Sequence, residues 1–184
     1  GEITPTTINK LRSLKDKELI DLGKGRKLEA LYGPGHAKHH YTFYDEYSKT
    51  LFMGDTLGLI YPHGNFVQPN LPPPDFNKEV LFNTLDELYK LDLNYLALAH
   101  FGIHNNPYEL IINAKQNIEE WIVFINNLND MSDEFAIESI RSWVRGNYEF
   151  LNIDKNTIDN YINNANFEMQ INGIRNYLIN KKNP

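Results

Sequence analysis

Histidine and carboxylate side chains that could bind a divalent metal recur along the first hundred residues of the sequence. Three of the six histidines fall inside five residues of the segment Y-G-P-G-H-A-K-H-H-Y, which runs from 32 to 41. The chain has no cysteine, so a metal site would have to be built from imidazole and carboxylate ligands. The positions of these residues relative to the strands decide whether such a site is plausible.

Three candidate ligands each follow a predicted strand: His36 after a Gly-Pro-Gly turn, Asp55 after Gly54 and His100 directly. Taken singly, each is better explained as a turn or cap residue, but the repetition of the pattern favours a metal site. Glycines beside two of them let the backbone approach closely, which helps to gather ligands at one edge of a sheet. The three pairs are strand 26–32 with His36, strand 50–53 with Asp55, and strand 95–99 with His100. We expect the ligand atoms of these three side chains to lie within about 7 Å of one another.

The remaining polar candidates are assigned to substrate or to the surface. We predict that one of His39 and His40 points into the mouth of the site, and we select His40 as a substrate contact. Tyr61 and His63 lie in an aromatic, proline-rich loop and are the other predicted substrate contacts, with a plain surface loop as the alternative. His104 is expected to be solvated.

The elements that must position these residues change in character near residue 105. Before it, short apolar runs broken by Gly, Pro and Asp predict strands, and after it apolar residues recur at helical spacing. The predicted strands are 9–14, 18–22, 26–32, 40–45, 50–53 and 95–99. A long loop is predicted over 57–76. The predicted helices begin after Asp75 or Asn77, at Pro107, after Ser132, after Asp154 or Asn156, and near Gln170, with Trp121 and Trp143 in the helix core.

Three segments resemble the metallo-β-lactamase-fold hydrolases: Y-G-P-G-H-A-K-H-H, F-M-G-D-T-L-G and L-A-L-A-H-F-G. The resemblance implies two divalent metal ions, with zinc expected and iron or manganese as alternatives. It implies that His36 binds the first metal, that Asp55 bridges both and is the catalytic carboxylate, and that His100 binds the second. The implied fold is α/β, the second half of an αββα sandwich over residues 1–106, followed by a helical extension over 107–184.

The signature H-x-H-x-D-H, which supplies further ligands in this family, does not occur in the sequence. In family members it lies upstream of the P-G-H turn, so we interpret the chain as the C-terminal half of such a hydrolase. With three ligands, each ion would keep about two, whereas a catalytic zinc normally has three protein ligands. We therefore expect the isolated chain to bind metal weakly and to hydrolyse poorly.

Three functions are compatible with these observations. The first is a metal-dependent hydrolase acting on a small-molecule thioester, lactone, amide or phosphoester. The second is a binding or assembly module that keeps the fold without catalysis, although such a module has no need of Asp55 beside two histidines. The third is a helical nucleic-acid reader over 130–184, but that segment has eight acidic and six basic side chains, which disfavours phosphate binding.

Composition limits the partners. The net charge is −6, and no run of Lys or Arg exceeds two residues, so no nucleic-acid partner is expected. We find no signal peptide and no apolar run near ~20 residues, which predicts a cytoplasmic protein without a membrane partner. Strands 51–53 and 96–99 are apolar on both faces, so we expect the N-terminal half of the same protein, or a homodimer partner, to cover one face.

Overall fold

The computed structural model describes residues 6–61, 66–151 and 153–182. Eight strands and five α-helices follow one another within these ranges, after a short 3₁₀ helix at Ile8–Lys10. The strands are β1 Glu18–Gly23, β2 Arg26–Tyr32, β3 Tyr41–Asp45, β4 Thr50–Gly54, β5 Leu59–Ile60, β6 Val67–Gln68, β7 Tyr95–Leu98 and β8 Ile103–His104. The helices are α1 Lys78–Tyr89, α2 Pro107–Asn127, α3 Asp133–Phe150, α4 Lys155–Asn164 and α5 Phe167–Lys182.

Six of the strands form one mixed sheet in the order β1-β2-β3-β4-β7-β8. Strands β4 and β7 are parallel, and every other neighbouring pair in this sheet is antiparallel. Because β2 and β4 both run antiparallel to β3, strands β2, β4 and β7 all point the same way. Their C-terminal ends therefore meet at one edge of the sheet, which we call the ligand edge.

Helix α1 covers one face of the sheet. It begins after Asn77, whose side chain accepts a hydrogen bond of 3.0 Å from the backbone N–H of Val80 and so satisfies an unpaired donor of the first turn. Leu81, Leu85 and Leu88, spaced three to four residues apart, form its buried stripe. They belong to one hydrophobic cluster with the fully buried strand residues Leu51, Met53 and Leu96.

The opposite face of the sheet, which we call the open face, carries exposed apolar side chains. The register pairs Phe52 with Ala97 and Ala97 with Ile103, so these three residues lie in one row across the open face. Phe52 is 43% exposed, Ile103 is 67% exposed, and Tyr95, two residues before Ala97, is 42% exposed. These exposures contrast with the fully buried Leu51 and Leu96 on the face that α1 covers.

The helical part of the chain packs on the same core as α1. Trp121 of α2 is fully buried, and Trp143 of α3 is half-buried beside it, as the sequence predicted. Helix α5 contacts the loop before α1 directly, since the Gln170 side chain accepts a 2.7 Å hydrogen bond from the Leu71 N–H. None of the helices in the described ranges is long and apolar enough to cross a membrane.

The mixed α/β fold with a helical C-terminal part was predicted from the sequence and is confirmed, but three local predictions differ. The strand predicted over 9–14 is wrong: the segment is a 3₁₀ turn followed by irregular chain, because Ile8 and Leu11 are exposed and have no neighbouring strand. The predicted loop 57–76 contains the small hairpin β5–β6, and strand β8 was not predicted.

Four of the five predicted helix starts are confirmed, whereas α5 begins at Phe167, three residues before the predicted Gln170. Asn77, Ser132 and Asp154 each accept a backbone hydrogen bond at the start of a helix, and Pro107 occupies the first turn of α2. These signals depend on short-range geometry, which explains why the sequence alone resolves them. The division at residues 106 and 107 coincides with the start of α2 and stays a prediction.

Candidate metal site

Asp55 and His100 lie side by side at the ligand edge. Strands β4 and β7 are parallel neighbours with Gly54 opposite Leu98, and the Ala99 N–H donates a 3.1 Å hydrogen bond to the Gly54 carbonyl. The residues that follow each strand are therefore brought together. His100 Nε2 lies 3.6 Å from Asp55 Oδ1.

The Asp55 carboxylate is only partly satisfied. Its Oδ1 atom is buried and accepts no hydrogen bond from any residue in the described ranges. Two donors on one tetrahedral zinc, each at about 2.1 Å, lie about 3.4 Å apart, close to the observed Asp55–His100 separation. A buried carboxylate oxygen without a donor is costly unless something else binds it. The pair therefore fits two ligands of one ion.

His36 is positioned in the way that is typical of a metal-binding imidazole. It follows the turn after β2, is 7% exposed, and its Nδ1 lies 2.8 Å from the Asn70 carbonyl oxygen. A carbonyl can only accept, so Nδ1 donates a proton to it, which leaves Nε2 as the ring nitrogen that could bind a metal. A hydrogen bond to a backbone carbonyl commonly orients metal-binding histidines. The His36 ring packs edge-to-face against the His40 ring, with the centroids 5.6 Å apart, and His40 in turn contacts Asp55. The role of His36 as a metal ligand stays a prediction.

His40 uses both ring nitrogens in contacts with the turn after β4. The Asp55 backbone N–H donates to Nε2 at 3.4 Å, so the proton resides on Nδ1, which donates to Thr56 Oγ1 at 2.9 Å. Burial, and then the neighbouring His36, lower the pKa of His40, and the neutral ring is the form that can accept from an amide. The predicted contact of His40 with substrate stays a prediction.

Gly54 leaves the space that His40 occupies. Its φ is +56°, and a Cβ built on it would lie 2.6 Å from His40 Nε2. Any side chain at this position would therefore push the ring away from the Asp55 amide. The glycine of the G-D motif is explained here by a close contact as well as by its backbone conformation.

Aromatic residues join the ligand edge to the helical part. Tyr61 packs against Phe101, the residue after His100, with ring centroids 4.5 Å apart, and against Tyr161 of α4 at 4.0 Å. Burial raises the pKa of Tyr61 and of Tyr161. Of the other predicted substrate residues, His63 lies outside the described residues. His104, which was expected to be solvated, has a buried Nε2 because it is part of strand β8.

The described residues contain no group of three His, Cys, Asp or Glu side chains arranged to hold one ion. Asp55 and His100 form a pair at this edge, and His36 is separated from them by His40. This arrangement offers a partial ligand set.

Sequence reasoning missed three residues that shape this edge. Thr56 and Asn70 orient the two imidazoles, and Phe101 stands beside His100 with a positive φ of 65°, a conformation that is uncommon for an aromatic residue. Thr56 directly follows the predicted ligand Asp55 and could have been suspected. Asn70 and Phe101 act through tertiary contacts, for which the sequence contains no local signal.

Comparisons with known proteins agree with these observations. A family model described as the metallo-beta-lactamase superfamily matches residues 4–100. An archaeal metallo-beta-lactamase superfamily protein from Sulfolobus tokodaii is similar in structure, with 26% identity and a TM-score of 0.52, over 60% of this chain and 40% of that protein. A metallo-beta-lactamase family protein from Thermus thermophilus is similar at 26% identity and a TM-score of 0.53, over 64% of this chain and 38% of that protein.

The shared region therefore spans about 40% of the length of these solved structures. A comparison with curated proteins found no match.

Proposed function

The chain belongs to the metallo-beta-lactamase superfamily, and from that premise we propose that it contributes Asp55, His100 and His36 to the metal centre of a hydrolase. Two divalent ions, zinc in the first place, are the proposed cofactors, with iron or manganese as alternatives. Asp55 would bridge the ions, His36 would bind the first and His100 the second.

One observation supports this proposal most strongly. Asp55 Oδ1 is buried without a hydrogen-bond donor among the described residues, and the neighbouring nitrogen, His100 Nε2, lies 3.6 Å away. That separation is too long for a hydrogen bond and close to the spacing of two donors on one ion. The hydrogen bond from His36 Nδ1 to the Asn70 carbonyl orients a second imidazole, the third proposed ligand.

The chemistry of such a site divides between the ions and the protein. When bound, a pair of divalent ions polarises a carbonyl or phosphoryl oxygen and makes a water molecule more acidic. The chain supplies the Asp55 carboxylate, the His36 imidazole and a sheet edge that sets the spacing of Asp55 and His100. These residues would bind and orient the ions, and the substrate would approach them from the ligand edge.

Aromatic side chains provide the proposed wall for the substrate. Tyr61 contacts Phe101, the residue directly after His100. Tyr161 of α4 also packs against the ring of Tyr61. We propose that this wall binds the apolar part of a small-molecule thioester, lactone, amide or phosphoester, and that His63 contributes to it. Helix α4 would then help to select the substrate.

A second sheet is the proposed cover of the open face. Exposed Phe52, Tyr95 and Ile103 lie on that face, and a two-sheet sandwich would bury them. The N-terminal half of the same protein, or a second copy of the chain, could provide the missing sheet. The same partner would complete the ligand set, which the described residues fill only in part.

Zinc titration tests the metal-binding role. We expect the 184-residue chain to bind zinc weakly in calorimetry, and Asp55→Asn and His100→Ala each to weaken that binding by at least about tenfold. Asp86→Asn is the matched control, because this exposed carboxylate pairs only with Lys115 in the described structure and lies on α1. Equal zinc affinity in all four proteins would refute the proposed ligands.

A non-catalytic binding module is the second candidate function, and the incomplete ligand set of the described residues favours it. Once zinc binding has been shown, the two functions predict different results in an activity assay. A hydrolase gives zinc-dependent turnover of at least one thioester, lactone, amide or phosphoester when the open face is covered. A binding module gives none, although zinc still binds.

A further inference from the structure

His40 connects the two turns that carry the proposed ligands His36 and Asp55. Its backbone belongs to the first turn: the Gly33 N–H donates to the His40 carbonyl at 3.0 Å, and the His40 N–H donates to the Ala37 carbonyl at 3.2 Å. These bonds close the segment 33–40 around His36. The position of the His40 side chain is thereby tied to the turn that holds His36.

The side chain of His40 belongs to the second turn. Nε2 accepts from the Asp55 amide and Nδ1 donates to Thr56 Oγ1, so the ring spans two consecutive residues. Thr56 is 2% exposed, and its own N–H is held by the Met53 carbonyl at 3.2 Å. Gly54 adds a steric limit, because only a residue without a Cβ leaves room for the ring. The Asp55 backbone is therefore held by His40 on one side.

We propose that His40 is a positioning residue: without binding metal or substrate, it fixes the distance and orientation between His36 and Asp55. This inference rests on the proposed metal-binding function. Both ring nitrogens are used within the protein, so neither offers a lone pair to an ion. The ring instead orients the Asp55 main chain, and with it the carboxylate whose Oδ1 has no hydrogen-bond donor among the described residues.

The first test identifies the tautomer and the response to zinc. Long-range ¹H–¹⁵N spectra of the uniformly labelled 184-residue chain should show His40 with Nδ1 protonated and Nε2 unprotonated but hydrogen-bonded. On addition of zinc chloride, the His36 and His100 nitrogens should shift toward metal-bound values while both His40 nitrogens keep their positions. A His40 nitrogen that moves to a metal-bound value, or an Nε2-protonated ring, would overturn the proposal.

The second test separates the two contacts of the ring. His40→Gln keeps an acceptor that reaches the Asp55 amide, His40→Asn keeps only a donor near Thr56, and His40→Ala keeps neither. We expect the Asp55 amide signal to move least in His40→Gln, and zinc affinity to fall about 10–100-fold in His40→Ala with partial recovery in His40→Gln. Exposed His39→Ala is the matched control and should match the wild type.

Thr56→Val protects the test against a folding defect, since valine is close in shape to threonine and replaces only the hydroxyl, with a methyl group. If His40 acts through this turn, Thr56→Val and His40→Ala should be non-additive in zinc affinity. Additive effects, or a His40→Ala chain that is folded and keeps wild-type zinc affinity, would overturn the inference. If the wild-type chain does not bind zinc, the proposed metal-binding function fails. The tautomer of His40 would still test its contacts with Asp55 and Thr56.

Discussion

Two carboxylates on either side of β4 show how hydrogen-bond partners distinguish a structural residue from a candidate ligand. Asp45, at the end of β3, is 2% exposed and accepts from the Ser48 hydroxyl at 2.7 Å, from the Tyr47 N–H at 3.2 Å and from Arg26. Asp55, after β4, has a buried oxygen with no such donor in the described ranges. The first carboxylate is fully used by the fold, and the second is available for a ligand.

Asp45 gives a prediction about pH. The Ser48 hydrogen bond and the Arg26 guanidinium hold the pKa of Asp45 below its usual value, against the opposing effect of burial. A depressed folded-state pKa stabilises the fold above the unfolded value of about 3.9, and this contribution disappears as pH falls through the folded pKa. We expect Asp45→Asn to lower the free energy of unfolding by about 1–3 kcal/mol at pH 7.

Urea denaturation from pH 7 to pH 3 checks this. The difference between wild type and Asp45→Asn should shrink as pH falls below about 4, because the carboxyl of the unfolded chain binds a proton there before the native carboxyl does. A difference that stays constant over the whole range would show that the charge of Asp45 is unimportant.

At this scale, the sequence allowed His36, Asp55 and His100 to be proposed because each follows a strand that could be recognised. The structure places Asp55 against His100, as the order of strands implies. The role of His40 could not be inferred in this way, since the ring reaches Asp55 and Thr56 across two strands. Sequence spacing gives the location of a residue, but the direction of its side chain depends on tertiary packing.

At the scale of elements, the docking of α5 depends on one glycine. A Cβ at Gly173 would lie 1.7 Å from the Leu71 carbonyl oxygen, and the adjacent Gln170 side chain binds the Leu71 N–H. Replacing a helical glycine by alanine gains about 1 kcal/mol from backbone propensity. Such a collision with backbone costs about 1–3 kcal/mol or more, so the net effect on the free energy of unfolding should be destabilising.

We therefore expect Gly173→Ala to lower the unfolding free energy. Gly146→Ala is the matched control: this glycine lies in helix α3, is exposed, and a Cβ added to it would meet no described atom within 4 Å. The control should raise stability by up to about 1 kcal/mol. Thermal denaturation of the three proteins by circular dichroism measures both effects. Stabilisation by Gly173→Ala would contradict the close approach of α5 to the loop.

Helices were predicted better than short strands because their signals are local. Caps at Asn77, Ser132 and Asp154 and the spacing of Leu81, Leu85 and Leu88 are contained in a few consecutive residues. Strand β8 has two residues and is defined only by its pairing with β7. No short-range pattern could have revealed it, and the apolar run near Leu11 had no partner strand to pair with.

At the scale of the whole molecule, the exposed side chains of the open face should determine how the chain behaves in solution. Phe52, Tyr95 and Ile103 lie on one face, and contiguous apolar surface of this kind promotes association. We expect the purified 184-residue chain to self-associate in light scattering. Phe52→Lys together with Ile103→Lys should reduce that association.

Val123→Lys is the control for added charge, because this residue is 58% exposed and lies on α2 and not on a strand of the sheet. It should leave the association unchanged. A wild-type chain that is monomeric, with a cooperative melt and no aggregation, would show that the open face needs no cover.

A zinc ion held between Asp55 and His100 is the feature on which the proposed function depends. Anomalous diffraction at the zinc edge from crystals of the chain grown with zinc chloride locates it directly. We predict a peak about 2.0–2.2 Å from both Asp55 Oδ1 and His100 Nε2, with no contact to His40. Zinc bound only elsewhere, or no peak between these two side chains, would contradict the proposed metal site.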